Sequence, residues 1–385
     1  MRKSVLFIIG NMETGGVSKS MVSLMNVINR EKYDISLLIV VPRGILMDLL
    51  PKDLNIITNL DIELLSVGIH GLIGLLRRRK FYLFFGSLLR LFFSVYNKAV
   101  AGWWLSRLYP TIEGEYDVIV DYNGQQQLYY MVDKLKAHTK ITFFHSDYEK
   151  WFYYYRIDRK YYPKVDAIFT ISEKCVDSLK RVFPFVSQKI RLMENISSLA
   201  FIEQMSRKMV YFPKTTKYRF LTLGHLCQNK GTDLAILAAT ILQARDIDFC
   251  WYFIGNLTEA QKFMKLAKDL KVEQRIVFLG TTPNPYPYIK SVDLFVHTAL
   301  FEGKSIALDE AKLLCKPIVV TNFSTVHDQF EDHINATIVD MAPDAIAQGI
   351  EDLLKDTNLQ RKYVQNLEKQ RVDNSSEVEK LYTLF

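Results

Sequence analysis

Four short segments of this chain carry residue types that do chemistry when a fold places them at the mouth of a sheet. Gly10-Asn11-Met12-Glu13-Thr14-Gly15-Gly16-Val17 ends an apolar run and leads into Ser18, Lys19 and Ser20. Paired glycines let the backbone approach a ligand closely, and a helix N-terminus offers N–H groups and positive potential to a phosphate. The spacing is neither G-x-G-x-x-G nor G-x-x-x-x-G-K-[ST], which argues against a dehydrogenase and against a P-loop nucleotidase; by itself it also reads as a plain tight turn. Phe143-Phe144-His145-Ser146-Asp147-Tyr148 ends a second apolar run in a His. Such a His can bond a substrate hydroxyl or act as acid or base near neutral pH, although a lone one is more often structural.

The third segment runs from Leu223 to Gly231 and holds Gly224, His225 and Lys230. An ammonium beside a helix N-terminus suits a diphosphate that gains negative charge as it departs, while any solvated loop Lys looks similar. The fourth, Phe301-Glu302-Gly303-Lys304-Ser305-Ile306-Ala307-Leu308-Asp309-Glu310-Ala311, places Glu302 before a helix and Glu310 about two turns inside it. Both carboxylates can point along one edge toward a ligand at the helix start, where the N–H groups near Lys304 to Ile306 are expected to be open to an anion. A carboxylate accepts two hydrogen bonds from a vicinal diol, a common grip on ribose or hexose. Paired Glu residues are otherwise a solvated face.

Such loops need strands to carry them. Short β-branched and aromatic runs alternate with helix-length amphipathic segments, the pattern of parallel sheets with crossover helices. Expected strands in the first half are 4–9, 35–41, 117–121, 141–144, 167–171 and 190–193, and in the second half 219–223, 249–254, 276–279, 294–297, 318–321 and 336–339. The fold class is therefore α/β, with two Rossmann-like doubly wound parallel-sheet domains. Polar residues 195–217, with Pro213, read as the linker, giving domains 1–200 and 201–385. The C-terminal helical stretch is expected to extend past the second domain, its last helix packing back on the first. Ligands of open α/β sheets sit at the carboxyl ends of strands, here in a cleft between the two domains.

At 385 residues the chain suits two cores. Cys175, Cys227, Cys250 and Cys315 are scattered without a C-x-x-C pair, which argues against zinc and a disulfide framework and fits a reducing cytoplasm. The start imitates a signal peptide, but its apolar run is short and reads as a first strand. The formal charge is +7, and its distribution is uneven: from Leu64 to Ile112 there is no Asp or Glu. Within residues 71–109 the basic run Arg77, Arg78, Arg79 and Lys80 adjoins Phe81, Tyr82, Phe84 and Phe85. No run there can span a bilayer, so the segment is expected to lie on an anionic membrane surface, the plainer reading being solvated helical faces. Nothing there matches a nucleic-acid-binding module.

In this order, the segments resemble the GT-B glycosyltransferases of family 4, the glycosyl transferases group 1. The resemblance is close over residues 219–325, through Gly224 to Gly231, Arg275 to Thr282, Tyr288 to Val296, the E-x7-E pair Glu302 and Glu310, and Pro317 to Thr321. It is looser at Gly15-Gly16, His145 to Asp147 and Ile171-Ser172-Glu173. The resemblance implies a retaining, metal-independent enzyme moving a sugar from a UDP-, GDP- or ADP-sugar to a glycan acceptor; a basic stretch docked on a membrane would make that acceptor lipid-linked, as in cell-surface polysaccharide synthesis. It implies catalytic roles for His145, Lys230 and Glu302. It further implies donor binding by Gly15, Gly16, Gly224, His225, Lys230, Gly303, Lys304, Ser305, Ile306 and Glu310, with Glu310 on the ribose and Lys230 on the diphosphate. His225 stands where the family commonly has Arg, which weakens one permanently charged phosphate contact. Asp246-Ile247-Asp248 has metal-motif spacing but precedes an expected strand, at the wrong end for ligands; it reads as a turn, and no metal or cofactor is expected. The scattered cysteines and the acid-free basic stretch together place the protein in the cytoplasm, peripheral on the inner face of the membrane. A sugar-nucleotide epimerase of the same fold and a non-catalytic membrane-associated scaffold are the alternatives.

Overall fold

In the computed structural model, which describes residues 2–385, two parallel sheets carry the chain. The first contains β1 (Lys3–Ile9), β2 (Tyr33–Ile39), β3 (Asn55–Ile57), β4 (Glu115–Asp121), β5 (Lys136–Phe144), β6 (Ala167–Thr170) and β7 (Ile190–Leu192), in the order β3-β2-β1-β4-β5-β6-β7. Val5 to Ile9 are buried without a break because helices cover both faces, the burial expected of a parallel sheet. Alternate side chains feed different cores: Leu6 and Ile8 join Ile119 and Leu128 on one face, while Val5, Phe7 and Ile9 join Val118 and Met21 on the other. The last ten residues belong to this unit, which comprises Met1–Glu13, Val17–Ile196 and Ser376–Phe385. There Tyr382 stacks on Tyr33 at 4.9 Å, and Lys3 Nζ donates to the Phe385 carbonyl at 2.8 Å.

The second unit, Thr14–Gly16 with Ser197–Ser375, holds β8 (Tyr218–Leu223), β9 (Phe249–Ile254), β10 (Ile276–Gly280), β11 (Leu294–His297), β12 (Ile318–Thr321) and β13 (Thr337–Val339). Its order is β10-β9-β8-β11-β12-β13, again all parallel. Chain direction across the sheet reverses between β8 and β11, and loops leaving the carboxyl ends of strands at such a switch point are where open α/β sheets hold ligands. The segments with Lys230 and Glu302 are those two loops.

Two elements differ from the expectation. The short edge strand β3 was absent from it, three residues being too few to show alternation. The supposed linker contains a helix, Leu199–Ser206, whose Ser198 side chain caps Phe201 N at 3.4 Å and whose Ile202 is buried. Its eight residues read as polar because Glu203, Gln204 and Ser206 interrupt the apolar face. Asp246 and Asp248 do lie in a turn: Asp246 has φ +54°, and Asp248, at the start of β9, pairs with Arg275 at 2.8 Å and accepts from Lys217 N at 2.9 Å.

Candidate functional site

The loop after β8 turns sharply twice. Gly224 has φ +156°, and Gly231, at φ +62°, caps the helix Thr232–Ala244 from the left-handed region. At Gly231 a Cβ would fall 1.9 Å from the Thr298 carbonyl oxygen, so only glycine permits the approach. Thr298, just past β11, completes the clamp by donating its hydroxyl to the Lys230 and Gly231 carbonyls at 3.0 and 2.9 Å, and Leu300 N donates to the Asn229 carbonyl at 3.0 Å. The two switch-point loops are thus tied backbone to backbone.

That clamp sets Lys230 against Glu302, their side chains in ionic hydrogen-bond contact. His297 Nε2 lies 3.2 Å from the same carboxylate oxygen, and the Glu302 carbonyl accepts from Thr325 Oγ1 at 2.9 Å. Burial by itself would raise the Glu302 carboxyl, but the Lys230 charge and the His297 contact outweigh it and hold it down at about 2. The cluster is an ionised carboxylate that aims an ammonium. Exposed His225 lies five residues before Lys230 in the same loop.

Glu310 lies in the helix Ile306–Leu313, almost wholly buried, and its Oε1 accepts from the Tyr286 hydroxyl at 3.0 Å. Burial, then the adjoining carboxylate, pushes the Tyr286 phenol well above its ordinary range, so it remains a donor. The expectation of open N–H groups at this helix start fails at Ser305: its N–H donates to Gln329 Oε1 at 3.0 Å, while Gln329 Nε2 donates to the Ser305 carbonyl and to Asp309 Oδ1. Gln329 braces the turn that holds Gly303, Lys304 and Ser305. His297, Thr298, Tyr286 and Gln329 were not singled out from the sequence: Thr298, Tyr286 and Gln329 act through residues distant along the chain, and His297 reaches Glu302 only because of how the loop between them folds. Only the position of His297 and Thr298 at a strand's carboxyl end hinted at them.

In the first unit, the loop after β1 is closed by Ser18 Oγ on the Asn11 carbonyl at 3.0 Å and by Asn123 Oδ1, which accepts from Gly10 N at 2.7 Å. Gly16 begins the helix Gly16–Val27, and Thr14–Gly16, including Gly15, group with the second unit. His145 directly follows β5, its ring 4.7 Å from Tyr122 and 5.5 Å from Phe143. Burial lowers the imidazole to about 4, countered only partly by contacts with Asn195 and the Tyr122 backbone. Of the two roles read from the sequence, this lowered value favours the neutral hydrogen-bond partner over the acid or base. Asp147 is committed to structure, capping Glu149 N at 3.1 Å and accepting from Ser178 Oγ at 2.6 Å.

Arg77, Arg78, Arg79 and Lys80 are all exposed, at the turn between the helices Gly68–Arg77 and Phe81–Tyr96. Their surroundings are not acid-free in space, as they are in sequence: Asp61 pairs with Lys80 at 3.0 Å. Among the described residues no helix is long and apolar enough to cross a membrane.

Residues 207–370 match the family model for glycosyl transferases group 1. A 205-residue stretch is 26% identical to the N-acetylgalactosamine-N,N'-diacetylbacillosaminyl-diphospho-undecaprenol 4-alpha-N-acetylgalactosaminyltransferase of Campylobacter jejuni, covering 52% of this chain and 54% of that one. Another, of 173 residues, is 24% identical to the lipopolysaccharide core biosynthesis glycosyltransferase LpsE of Rhizobium meliloti, covering 45% and 49%. The chain therefore spans about half the length of these curated relatives. Among solved structures, Anabaena HepE in complex with UDP and glucose superposes with a TM-score of 0.70 at 15% identity over 99% of both chains. WaaG, a glycosyltransferase involved in lipopolysaccharide biosynthesis, gives 0.64 at 16% over 98% of both. At such identities these likenesses show the fold, α/β with two Rossmann-like parallel-sheet domains of the GT-B type. The family match, which lies within the second unit, together with the relatives' names, supports a glycosyltransferase and favours neither an epimerase nor a scaffold.

Proposed function

We propose that the protein transfers a sugar from a nucleotide diphosphate donor to a lipid-linked glycan acceptor in cell-surface polysaccharide synthesis, with retention of configuration and without a metal. The observation that carries the reading is the cluster at the second sheet's switch point, where Lys230 is aimed by an ionised Glu302 and Glu310 sits buried on the adjoining helix. Lys230 holds the diphosphate and neutralises charge as the leaving oxygen departs. Preorganised groups of this kind contribute about 2.7 to 4 kcal/mol each. Glu310 takes the ribose hydroxyls, fixed in place by Tyr286. Glu302 serves the donor sugar as well as the ammonium, and neutral His145 hydrogen-bonds the sugar.

No side chain here is identified as a nucleophile for double displacement. In the front-face step, the bond from the anomeric carbon to the diphosphate breaks and the bond to the acceptor oxygen forms on the same side, the acceptor proton passing to the departing phosphate oxygen. The Campylobacter relative's name specifies an α linkage on a diphospho-undecaprenol carrier, and the poly(ribitol-phosphate) alpha-N-acetylglucosaminyltransferase of Staphylococcus aureus, 24% identical over 122 residues, also names an α product. An α product from an α-configured donor is retention. Asp248, the second carboxylate of the metal-motif spacing, is occupied by Arg275 and Lys217 at the amino end of its strand, which supports a metal-free reading. The test is release of nucleoside diphosphate from UDP-, GDP- and ADP-sugars with an undecaprenyl-diphosphate-linked oligosaccharide, with and without EDTA. Turnover with one donor, insensitive to EDTA and giving an α linkage, is expected. A β-linked product, or activity lost to EDTA and restored by a divalent ion, contradicts the mechanism.

A further inference from the structure

The helix Phe81–Tyr96 is built inside out for a soluble protein. Its buried side chains are Leu83 and the small residues Gly86 and Ser87. Gly86 lies so close to its neighbour that a Cβ would stand 2.5 Å from Leu108 Cδ2, and its carbonyl accepts from Trp104 Nε1 at 2.8 Å. Phe84 and Phe93 pack inward, Phe93 with its ring 5.9 Å from Trp104, but other large side chains point away: Phe85 is 64% exposed, Phe92 57% and Val95 79%. Positions 81, 85, 88, 92 and 96 recur every three or four residues and so form one outward stripe. On the preceding helix, Gly68–Arg77, Ile69, Ile73 and Leu76 are also exposed at helical spacing. Between the two stripes stand Arg77, Arg78 and Arg79, exposed, with Arg79 in the left-handed turn at φ +56°.

We propose that this helical hairpin inserts its apolar face into the headgroup–acyl boundary of an anionic lipid bilayer, lying in the plane of the membrane, with the three arginines against the lipid phosphates. Soluble proteins rarely leave a contiguous apolar face uncovered, and an amphipathic helix with cations at its polar border is the element that lies in an interface. The length fits: sixteen residues make a rod of about 24 Å that can lie flat, and it is not a spanning helix. Charge decides between lipid and a second copy of this chain. No acid occurs from Leu64 to Ile112, and the nearby Asp61 is already paired with Lys80, so apposing two copies would bring two unneutralised arginine clusters together. An anionic headgroup layer neutralises them. Attraction by charge alone would be screened away by salt, whereas apolar insertion persists.

Vesicle flotation tests this without any use of sugar transfer, so its failure leaves the proposed activity standing. Wild type should float with phosphatidylcholine–phosphatidylglycerol vesicles and keep most of that binding at high salt. F85D/F92D, at two exposed positions, should lose at least about tenfold in binding at every salt concentration, with an unchanged thermal unfolding curve. R77Q/R78Q/R79Q should lose the preference for phosphatidylglycerol over pure phosphatidylcholine. Wild-type binding abolished by salt and unaltered in F85D/F92D would overturn insertion. Lipid-free self-association that F85D/F92D abolishes, with no flotation of wild type, would assign the face to a second copy instead.

Discussion

Lys230 and Glu302 come from loops seventy-two residues apart, and their contact makes a testable link between stability and pH. Glu302 is held at about 2, below its ordinary 4.5, so its favourable interactions are fully present above pH 4.5 and fade as pH falls toward 2. Lys230→Ala leaves a largely buried carboxylate without its cation. Breaking a fully buried pair costs about 3 to 5 kcal/mol, and the partial exposure of Lys230 puts this case at or below the lower end. The melting temperature of Lys230→Ala should therefore drop most at neutral pH and converge on wild type in acid; a deficit constant from pH 7 to pH 3 would remove Lys230 as the counterion of Glu302. Glu310→Ala should weaken nucleotide binding more than tenfold, since a hydrogen bond to a charged group is worth roughly 1.5 to 3 kcal/mol. Tyr286→Phe, which removes only the hydroxyl that orients Glu310, should cost severalfold less in the same calorimetric titration. Equal losses in the two variants would mean that Tyr286 touches the nucleotide itself. Lys230 and Glu302 stood out in the sequence because each stands beside a glycine, and Glu310 because of its fixed spacing from Glu302. Thr298 and Gln329 did not, because what they do depends on which segments the fold brings together, and His297 did not, because its contact depends on the path of its own loop.

At the scale of elements, the strands were legible and the devices between them less so. Runs such as Phe249–Ile254, buried on both faces, announce themselves as central parallel strands. The expected strands of the second half match β8 to β13 closely, whereas β5 begins five residues before its expected start, since Lys136 to Lys140 are too polar to look like strand. The helix Leu199–Ser206 was hidden by its short length, and the positive φ of Gly231 carries no signal beyond the glycine itself. Gly231→Ala tests how much the loop clamp matters. The new methyl would collide with the Thr298 carbonyl, and the backbone would be held at a φ that alanine resists, so either the β11 loop moves or the turn opens. Reduced thermal stability together with loss of nucleotide binding is expected. Gly224→Ala, where a Cβ meets open space, should be the milder change by melting temperature.

For the whole molecule, the doubly wound order repeated in both sheets was legible as a pattern of alternating elements, and the family resemblance of the second half agrees with the match over residues 207–370. The first unit shares the fold likeness to solved structures, which cover the whole chain. The central claim is that the second unit is a nucleotide-sugar site built around Glu310 and Lys230. The most direct measurement is the shift in melting temperature of the wild-type protein and of Glu310→Ala across UDP, GDP, ADP and their sugars, with EDTA present throughout. One nucleotide should stabilise the wild type, more so as its sugar conjugate, by an amount that grows with concentration, while Glu310→Ala responds weakly or not at all. No stabilisation by any of the three nucleotides, or an equal response from Glu310→Ala, would contradict the assignment.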